Sequence, residues 1–463
     1  MFERISNFTK KYKIFIIVFL LAIVVHSGLF LINFTNNQYD LIPTIKGDDG
    51  YFELSKSLID GNGFTWSTEA PFQPNPLRTP IYPFFIAGIL LLFGSYWAVL
   101  IIQLFISGLI PLLGMAIVDK VISSKKISII VGVLLAIEPY STLFSSIFYT
   151  ETLFIFLFLV FLFFFFKYFK DPSYRNIIWS SLFFGLAVLT KPTVQYLPVI
   201  IPIFIFWHFR KSISKKTIIQ IVVFLSIFIL TISSWLYRNY EEFGVVGMSA
   251  QPAFNLYTYL VPSVLSIAND TSFSIENKKI METKDFHWDN ITLSNSKYYI
   301  SESLNILKEH KIALIKLSGT SLLTFFTHDG MLTVFGYAGY RPPTTLSKPA
   351  LFLLLKSPKE FFIVAKGLIM SPFILVLLVR ILWILITTLF IFGVFKMFKD
   401  KKANTLIVFA LLLIAYFAGT TMINGLGINA RFRMPINTFI FMFAIYGYFS
   451  LINFIRKKKK LKT

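Results

Sequence analysis

The run Ile14 to Ile32 holds nineteen consecutive residues without Asp, Glu, Lys or Arg. Coiled as a helix at about 1.5 Å per residue, it crosses a hydrocarbon core of roughly 30 Å. Several similar runs follow, in a chain that is 56% hydrophobic, 18% aromatic and only 14% charged. A single soluble enzyme domain is excluded, because that much apolar surface cannot be buried in one globular core. The first run lacks a small-residue cleavage site and is expected to be retained as a signal anchor.

The formal charge of +21 would suggest nucleic acid if it covered a polar surface, so its location matters. Six short segments, 1–13, 119–127, 167–176, 209–216, 396–403 and 454–463, hold 24 of the 44 Lys and Arg but only four of the 23 acids, Glu3, Asp119, Asp171 and Asp400. The rest of the chain is nearly neutral. Basic residues in short loops stay on the cytoplasmic side, so both termini are expected inside, the number of crossings is even, and nucleic acid is not a partner. The basic tail from Arg456 to Lys462 is a cytoplasmic anchor that can also meet anionic lipid.

These loops divide the apolar sequence into ten candidate spans, at about 14–33, 96–118, 127–147, 150–166, 176–192, 194–208, 217–237, 370–395, 404–423 and 436–453. The short run Ile81 to Phe93 and the stretch 309–327 either lie at the interface or cross, which allows up to thirteen. The fold class is therefore an all-α polytopic membrane protein. Three parts are expected: an N-terminal transmembrane module over 1–237, an external region over 238–368, and a C-terminal transmembrane module over 369–463. The first external loop, 34–80, carries an amphipathic piece from Tyr51 to Ile59, then the turn Asp60-Gly61-Asn62-Gly63 and a Pro-rich stretch. In the second external region Ile300, Leu304, Leu307 and Leu314 fall at roughly helical spacing, suggesting a small external cap. The run Phe161 to Phe166 is expected to face lipid. No cysteine is present, which removes disulfides and thiolate chemistry, and none of the five His pairs at metal-binding spacing.

The informative residues are charges on the wrong side. Asp48, Asp49, Glu53, Glu151, Arg78, Lys191, Arg238, Arg431 and Arg433 fall at or just beyond the outer ends of the candidate spans. Ionisable groups at that depth are costly unless paired or wet, so they point to a polar cavity at the outer face. Its cations suit an anionic substrate: Arg and Lys hold phosphate by charge and stabilise it as it leaves. A carboxylate beside them can act as a general base. Other roles stay open at this stage. Asp48 or Asp49 can cap the helix starting near Tyr51, Lys191 can snorkel to headgroups, and Arg431 and Arg433 can pair with lipid phosphate. Glu138 and Arg380, nearer mid-bilayer, either pair with each other or line the cavity.

In order along the chain, Gly47-Asp48-Asp49-Gly50-Tyr51 with Leu54-Ser55, Gly61-Asn62-Gly63-Phe64, and Arg78-Thr79-Pro80-Ile81-Tyr82-Pro83 resemble the first external loop of bacterial relatives of the dolichyl-phosphate-mannose protein mannosyltransferases and aminoarabinose transferases. These are GT-C type membrane glycosyltransferases. Thr150-Glu151-Thr152, the stretch Gly185 to Pro192, Trp235 to Tyr240 with Phe243-Gly244, and Ala430 to Pro435 resemble the later motifs in the same order.

The resemblance implies transfer of a sugar from a polyprenyl phosphate carrier to a lipid, glycan or protein acceptor at the extracytoplasmic face of a bacterial plasma membrane. It implies a catalytic acid at Asp48 or Asp49, with Asp48 favoured. It places Tyr51, Arg78, Tyr82 and Glu151 at the substrate, and Lys191, Arg238, Arg431 and Arg433 on the carrier phosphate. Some relatives hold a divalent metal ion, for which His328-Asp329 is the candidate. Direct displacement with inversion at the anomeric carbon is the expected mechanism. A lipid-linked saccharide flippase or transporter, or an outer-face polysaccharide polymerase or ligase, would share the same carrier lipid. Replacement of Asp48 distinguishes the transferase from both.

Overall fold

A computed structural model describes residues 2–282, 290–342, 357–425 and 429–460. Parts of the expected external cap, 283–289 and 343–356, and the tail residue Lys462 lie outside the described residues. Among the described residues the chain is helical, with no strand beyond an isolated bridge between Thr65 and Pro74. Among the described residues, seven helices are long and apolar enough to cross a membrane: Tyr12–Asn36, Tyr96–Ile122, Glu151–Lys170, Lys215–Phe243, Ile374–Lys399, Thr405–Met422 and Ala430–Lys458. Ile81–Phe93 and Leu197–Phe209 are shorter apolar helices. The chain is a multi-pass membrane protein.

Two of the expected spans take a form that the sequence pattern alone did not convey. The run 127–147 breaks: helix Lys125–Ile137 ends where Pro139 opens the short helix Pro139–Phe144. Glu138 caps that short helix, its carboxylate accepting from the Ser141 N–H at 2.6 Å. It does not pair with Arg380, whose partner is Asp329. The run 176–192 is the 17-residue helix Tyr174–Thr190. Helix boundaries follow local chemistry. Ser95, Ser124, Ser214 and Asn404 cap N-termini, while Gly94 and Gly244, in the left-handed conformation, end Ile81–Phe93 and Lys215–Phe243.

The helix Glu151–Lys170 is central, packed between Tyr96–Ile122 and Tyr174–Thr190. This overturns the lipid-facing expectation for its phenylalanines. Phe161, Phe165 and Phe166 are fully buried and meet Phe184, Phe409 and Phe439, while Phe163 and Phe164 keep partial exposure. A run apolar all round is what a buried helix looks like, and hydropathy cannot separate burial in protein from burial in lipid. The helices Ile374–Lys399 and Asn437–Lys460 pack closely. A Cβ on Gly393 would sit 2.0 Å from the Phe443 carbonyl oxygen, so only glycine permits the approach. Helix Lys311–Thr327 packs against Ile374–Lys399 and Thr405–Met422.

The basic loops gather at one end of this bundle. Asn404 donates to the Val121 carbonyl, Gln220 donates to that of Pro172, each at 3.0 Å, and His208 meets Thr405. Lys126 lies over the Phe449 ring. Glu151 starts a 20-residue helix whose other end, Lys170, is in that basic layer, roughly 30 Å away at 1.5 Å per residue. The wrong-side charges therefore occupy the opposite end.

Candidate functional site

Chain direction assembles the site. Glu151 opens one central helix and Lys191 closes the next, Tyr174–Thr190, stopped there by Pro192. An acid at an N-terminus and a cation at a C-terminus each complement the helix dipole. Because the two helices are antiparallel neighbours, the groups meet: Lys191 Nζ lies 2.5 Å from Glu151 Oε1. Arg431, in the short helix Asn429–Arg433 that opens the last span, donates its Nε to the same carboxylate and its Nη2 to Asp49 Oδ2 at 2.5 Å. Its guanidinium also lies over the rings of Tyr149 and Phe144.

Asp49 is delivered by the first loop. Gly50 has φ +75°, and its carbonyl accepts from Trp66 Nε1 at 2.9 Å, which pins the turn. A Cβ there would come 2.7 Å from that nitrogen, so the position requires glycine. Neither Asp48 nor Asp49 caps the helix Tyr51–Ile59, whose N-cap is Gly50 without a side-chain bond. The capping alternative is thereby removed. Arg78 completes the array, donating its Nε to the Asp49 carbonyl at 3.0 Å and pairing its Nη2 with Oδ1 at 3.4 Å. It stacks over Tyr51 and Trp66.

Asp49, Tyr51, Arg78, Lys191 and Arg431 line a pocket of about 260 Å³ whose walls also include Phe254, Asn255, Tyr259 and Asn424. Three cations share this lining with the carboxylate of Asp49, and Glu151 pairs with two of them from outside it, which leaves a net positive site suited to an anion. Burial by itself would raise the Asp49 carboxyl, but Arg431 and then Arg78 outweigh it and hold the group down at about 2. Burial pushes the Tyr51 phenol up to about 12, so it stays neutral.

The other sequence candidates lie elsewhere. Asp48 is exposed and turned away from the pocket: its N–H donates to the Tyr149 hydroxyl at 3.1 Å and its carboxylate accepts from Tyr337 at 3.4 Å. Tyr82 is buried behind Tyr51 and donates to Gln103 at 2.7 Å. Arg238 sits among Phe64, Trp235 and Phe243 and donates to Asn75 and Asn239. Arg433 is buried on the Trp383 ring and donates to the carbonyls of Phe325 and His328. Glu53 pairs with Lys46 in the first loop.

For the metal expectation, Asp329 is bound to Arg380 and His328 Nδ1 accepts from the Gly330 N–H, so this pair is committed to a turn. Asp49 in the pocket and Glu151 beside it are each already faced by cations. Among the described residues, no group of three or more His, Asp and Glu side chains gathers to hold a metal ion. This donor set does not fit a divalent ion.

The pocket also holds neutral residues absent from the sequence reading, chiefly Gln251, Asn255 and Asn424. Charge placement could not reveal them. The only available signal was the i,i+4 spacing of Gln251 and Asn255 on a short helix.

Residues 75–237 match the family described as dolichyl-phosphate-mannose-protein mannosyltransferase. That stretch includes Arg78, Glu151 and Lys191, but neither the loop acids nor Arg431. No curated protein matches the chain. Two solved structures of Archaeoglobus fulgidus oligosaccharyltransferase are similar in fold. One, a complex with zinc and sulfate, has a TM-score of 0.51 and 14% identity over 94% of this chain and 50% of its own. The other, oligosaccharyltransferase AglB with an inhibitory peptide and a dolichol-phosphate, has a TM-score of 0.52 and 14% identity over 98% and 52%. The chain thus spans about half the length of these proteins and is similar to them in fold.

Proposed function

We propose that the chain is a glycosyltransferase that moves a sugar from a polyprenyl phosphate carrier to a hydroxyl or amine acceptor at the extracytoplasmic face of the membrane. One observation carries the reading: a carboxylate, Asp49, shares a pocket and a partner, Arg431, with a phosphate-sized cluster of cations at the end of the bundle away from the basic loops. The family match and the dolichol-phosphate bound to the archaeal protein support the carrier.

Asp49, not Asp48, takes the role of base. In the free protein its basicity is suppressed by Arg431 and Arg78. A phosphate entering the pocket draws these cations toward itself, and the carboxylate becomes more basic as the donor binds. The acceptor proton passes to Asp49 while the acceptor oxygen or nitrogen bonds to the anomeric carbon. The bond from that carbon to the phosphate oxygen breaks, and its electron pair leaves with the phosphate into Arg431, Lys191 and Arg78. Attack opposite the leaving group inverts the anomeric carbon. Glu151 keeps Lys191 and Arg431 apart and oriented.

The test is transfer of radiolabelled sugar from polyprenyl phosphate sugars by the purified chain in lipid. Asp49→Asn is expected to lower transfer by about 10²–10⁴-fold with the carrier still bound, while Asp48→Asn stays within a fewfold. Equal transfer by native protein and Asp49→Asn refutes the base. Carrier binding that is indifferent to Arg431→Gln refutes the phosphate site.

A further inference from the structure

The pocket has two chemically distinct halves. On one side stand Arg78, Lys191 and Arg431 with the carboxylate of Asp49. On the other, three amides form a continuous chain: Gln251 Nε2 donates to Asn255 Oδ1 at 2.7 Å, and Asn255 Nδ2 donates to Asn424 Oδ1 at 2.7 Å. The chain is anchored to the charged half by Arg78 Nη1, which donates to Gln251 Oε1 at 3.1 Å. Phe254 and Tyr259, with ring centroids 5.9 Å apart, flank the amides.

We infer that Gln251, Asn255 and Asn424 form the sugar-selecting subsite and that it takes one neutral monosaccharide. The inference rests on the glycosyltransferase reading and adds the class of sugar. Each amide carries two donor hydrogens and an oxygen with two acceptor positions, so after the mutual bonds every one retains capacity of both kinds. Sugar hydroxyls also donate and accept, and they match such a surface. The aromatic walls meet the C–H faces of the ring. Among the described residues the one carboxylate in the lining, Asp49, is already held by Arg431 and Arg78, so the ammonium of an aminosugar would be desolvated without a free acid. Arg78, the cation nearest the amides, is already engaged by Asp49 and Gln251. Arg78, Lys191 and Arg431 are moreover the carrier phosphate's partners, so a uronate would have to compete with that phosphate for its counter-charge. A pocket of about 260 Å³ falls below the roughly 300–1,000 Å³ of sites for drug-sized ligands, which favours a single sugar over an oligosaccharide. The three residues lie outside the stretch matching the mannosyltransferase family, 75–237, so the shared fold leaves them free to set specificity.

The test uses the full chain in lipid nanodiscs and measures displacement of fluorescent polyprenyl phosphate by four probes: polyprenyl phosphate itself and its mannosyl, aminoarabinosyl and glucuronyl esters. Native protein is expected to bind the mannosyl lipid at least tenfold more tightly than the bare lipid, and the other two no better than the bare lipid. Asn255→Ala and Asn424→Ala should each remove about tenfold from the mannosyl lipid and leave bare-lipid affinity within twofold. Equal loss for bare and mannosyl lipids would mean the amides only hold the fold, and overturns the subsite. So does unchanged mannosyl affinity in both variants, or tighter binding of the charged sugars by native protein. Failure of the underlying reading has a different signature, a bare-lipid affinity that Arg431→Gln does not alter.

Discussion

Arg431 is the joint of the site, and its removal gives the most quantitative prediction. Its guanidinium satisfies two carboxylates at once, Asp49 from the first loop and Glu151 from the central helix. The Glu151 side chain is 2% exposed, so its carboxylate cannot turn to water, while Arg431, at 18%, keeps a face on the pocket. In Arg431→Gln, Glu151 keeps Lys191 as its cation and Asp49 keeps only the longer contact to Arg78. Removing one partner of a buried ion pair costs about 3–5 kcal/mol. Because Lys191 and Arg78 remain, the lower end, about 3 kcal/mol, is expected. The double variant Arg431→Gln/Asp49→Asn should recover most of that stability, since the carboxylate left with only the longer contact is gone, yet remain inactive in transfer. Chemical denaturation in detergent gives the stabilities and sugar transfer gives the activities. Arg431→Lys should fall between, as an ammonium keeps the charge but loses the planar fork that spans both acids. A cycle in which the two substitutions are additive, with coupling below about 1 kcal/mol, would refute the bridge.

Other consequences are open to measurement. The Asp49 carboxyl is lowered from 3.8 to about 2, so its contribution is full above the unfolded value and disappears as pH falls through the folded one. The shift corresponds to about 2 kcal/mol, and the stability gap between native protein and Asp49→Asn should shrink by that amount between pH 5 and pH 2. An unchanged gap would contradict the pairing. Gly50→Ala should cost about 1–2 kcal/mol for the left-handed backbone and depress transfer further by displacing Asp49; full activity would show that Trp66 does not pin the turn. Arg433→Met should destabilise by about 2 kcal/mol or more, because two buried carbonyls lose their donor, while carrier affinity of the folded protein stays within twofold. A selective loss of carrier binding would return Arg433 to the site.

Membrane-length apolar runs and the division of charge were legible because hydropathy and charge are local sums that need no knowledge of partners. The same logic flagged Arg78, Glu151, Lys191 and Arg431, whose charges are too costly at a helix end to lack a polar neighbour. Only packing assigned those neighbours. Arg431 and Arg433 look equivalent in sequence, yet the Asn429–Arg433 helix turns by roughly 100° per residue, so residues two apart face nearly opposite ways. One enters the pocket and the other the interior against Trp383. Adjacent Asp48 and Asp49 part in the same way at the turn pinned by Gly50 and Trp66. The burial of Phe161 and Phe165 was likewise decided by neighbouring helices, because lipid and a protein core are equally apolar to a phenylalanine. The amides were invisible for a complementary reason. A neutral Gln or Asn carries no topological cost at a membrane surface, so its role emerges only when Gln251, Asn255 and Asn424, up to 173 positions apart, meet in one wall.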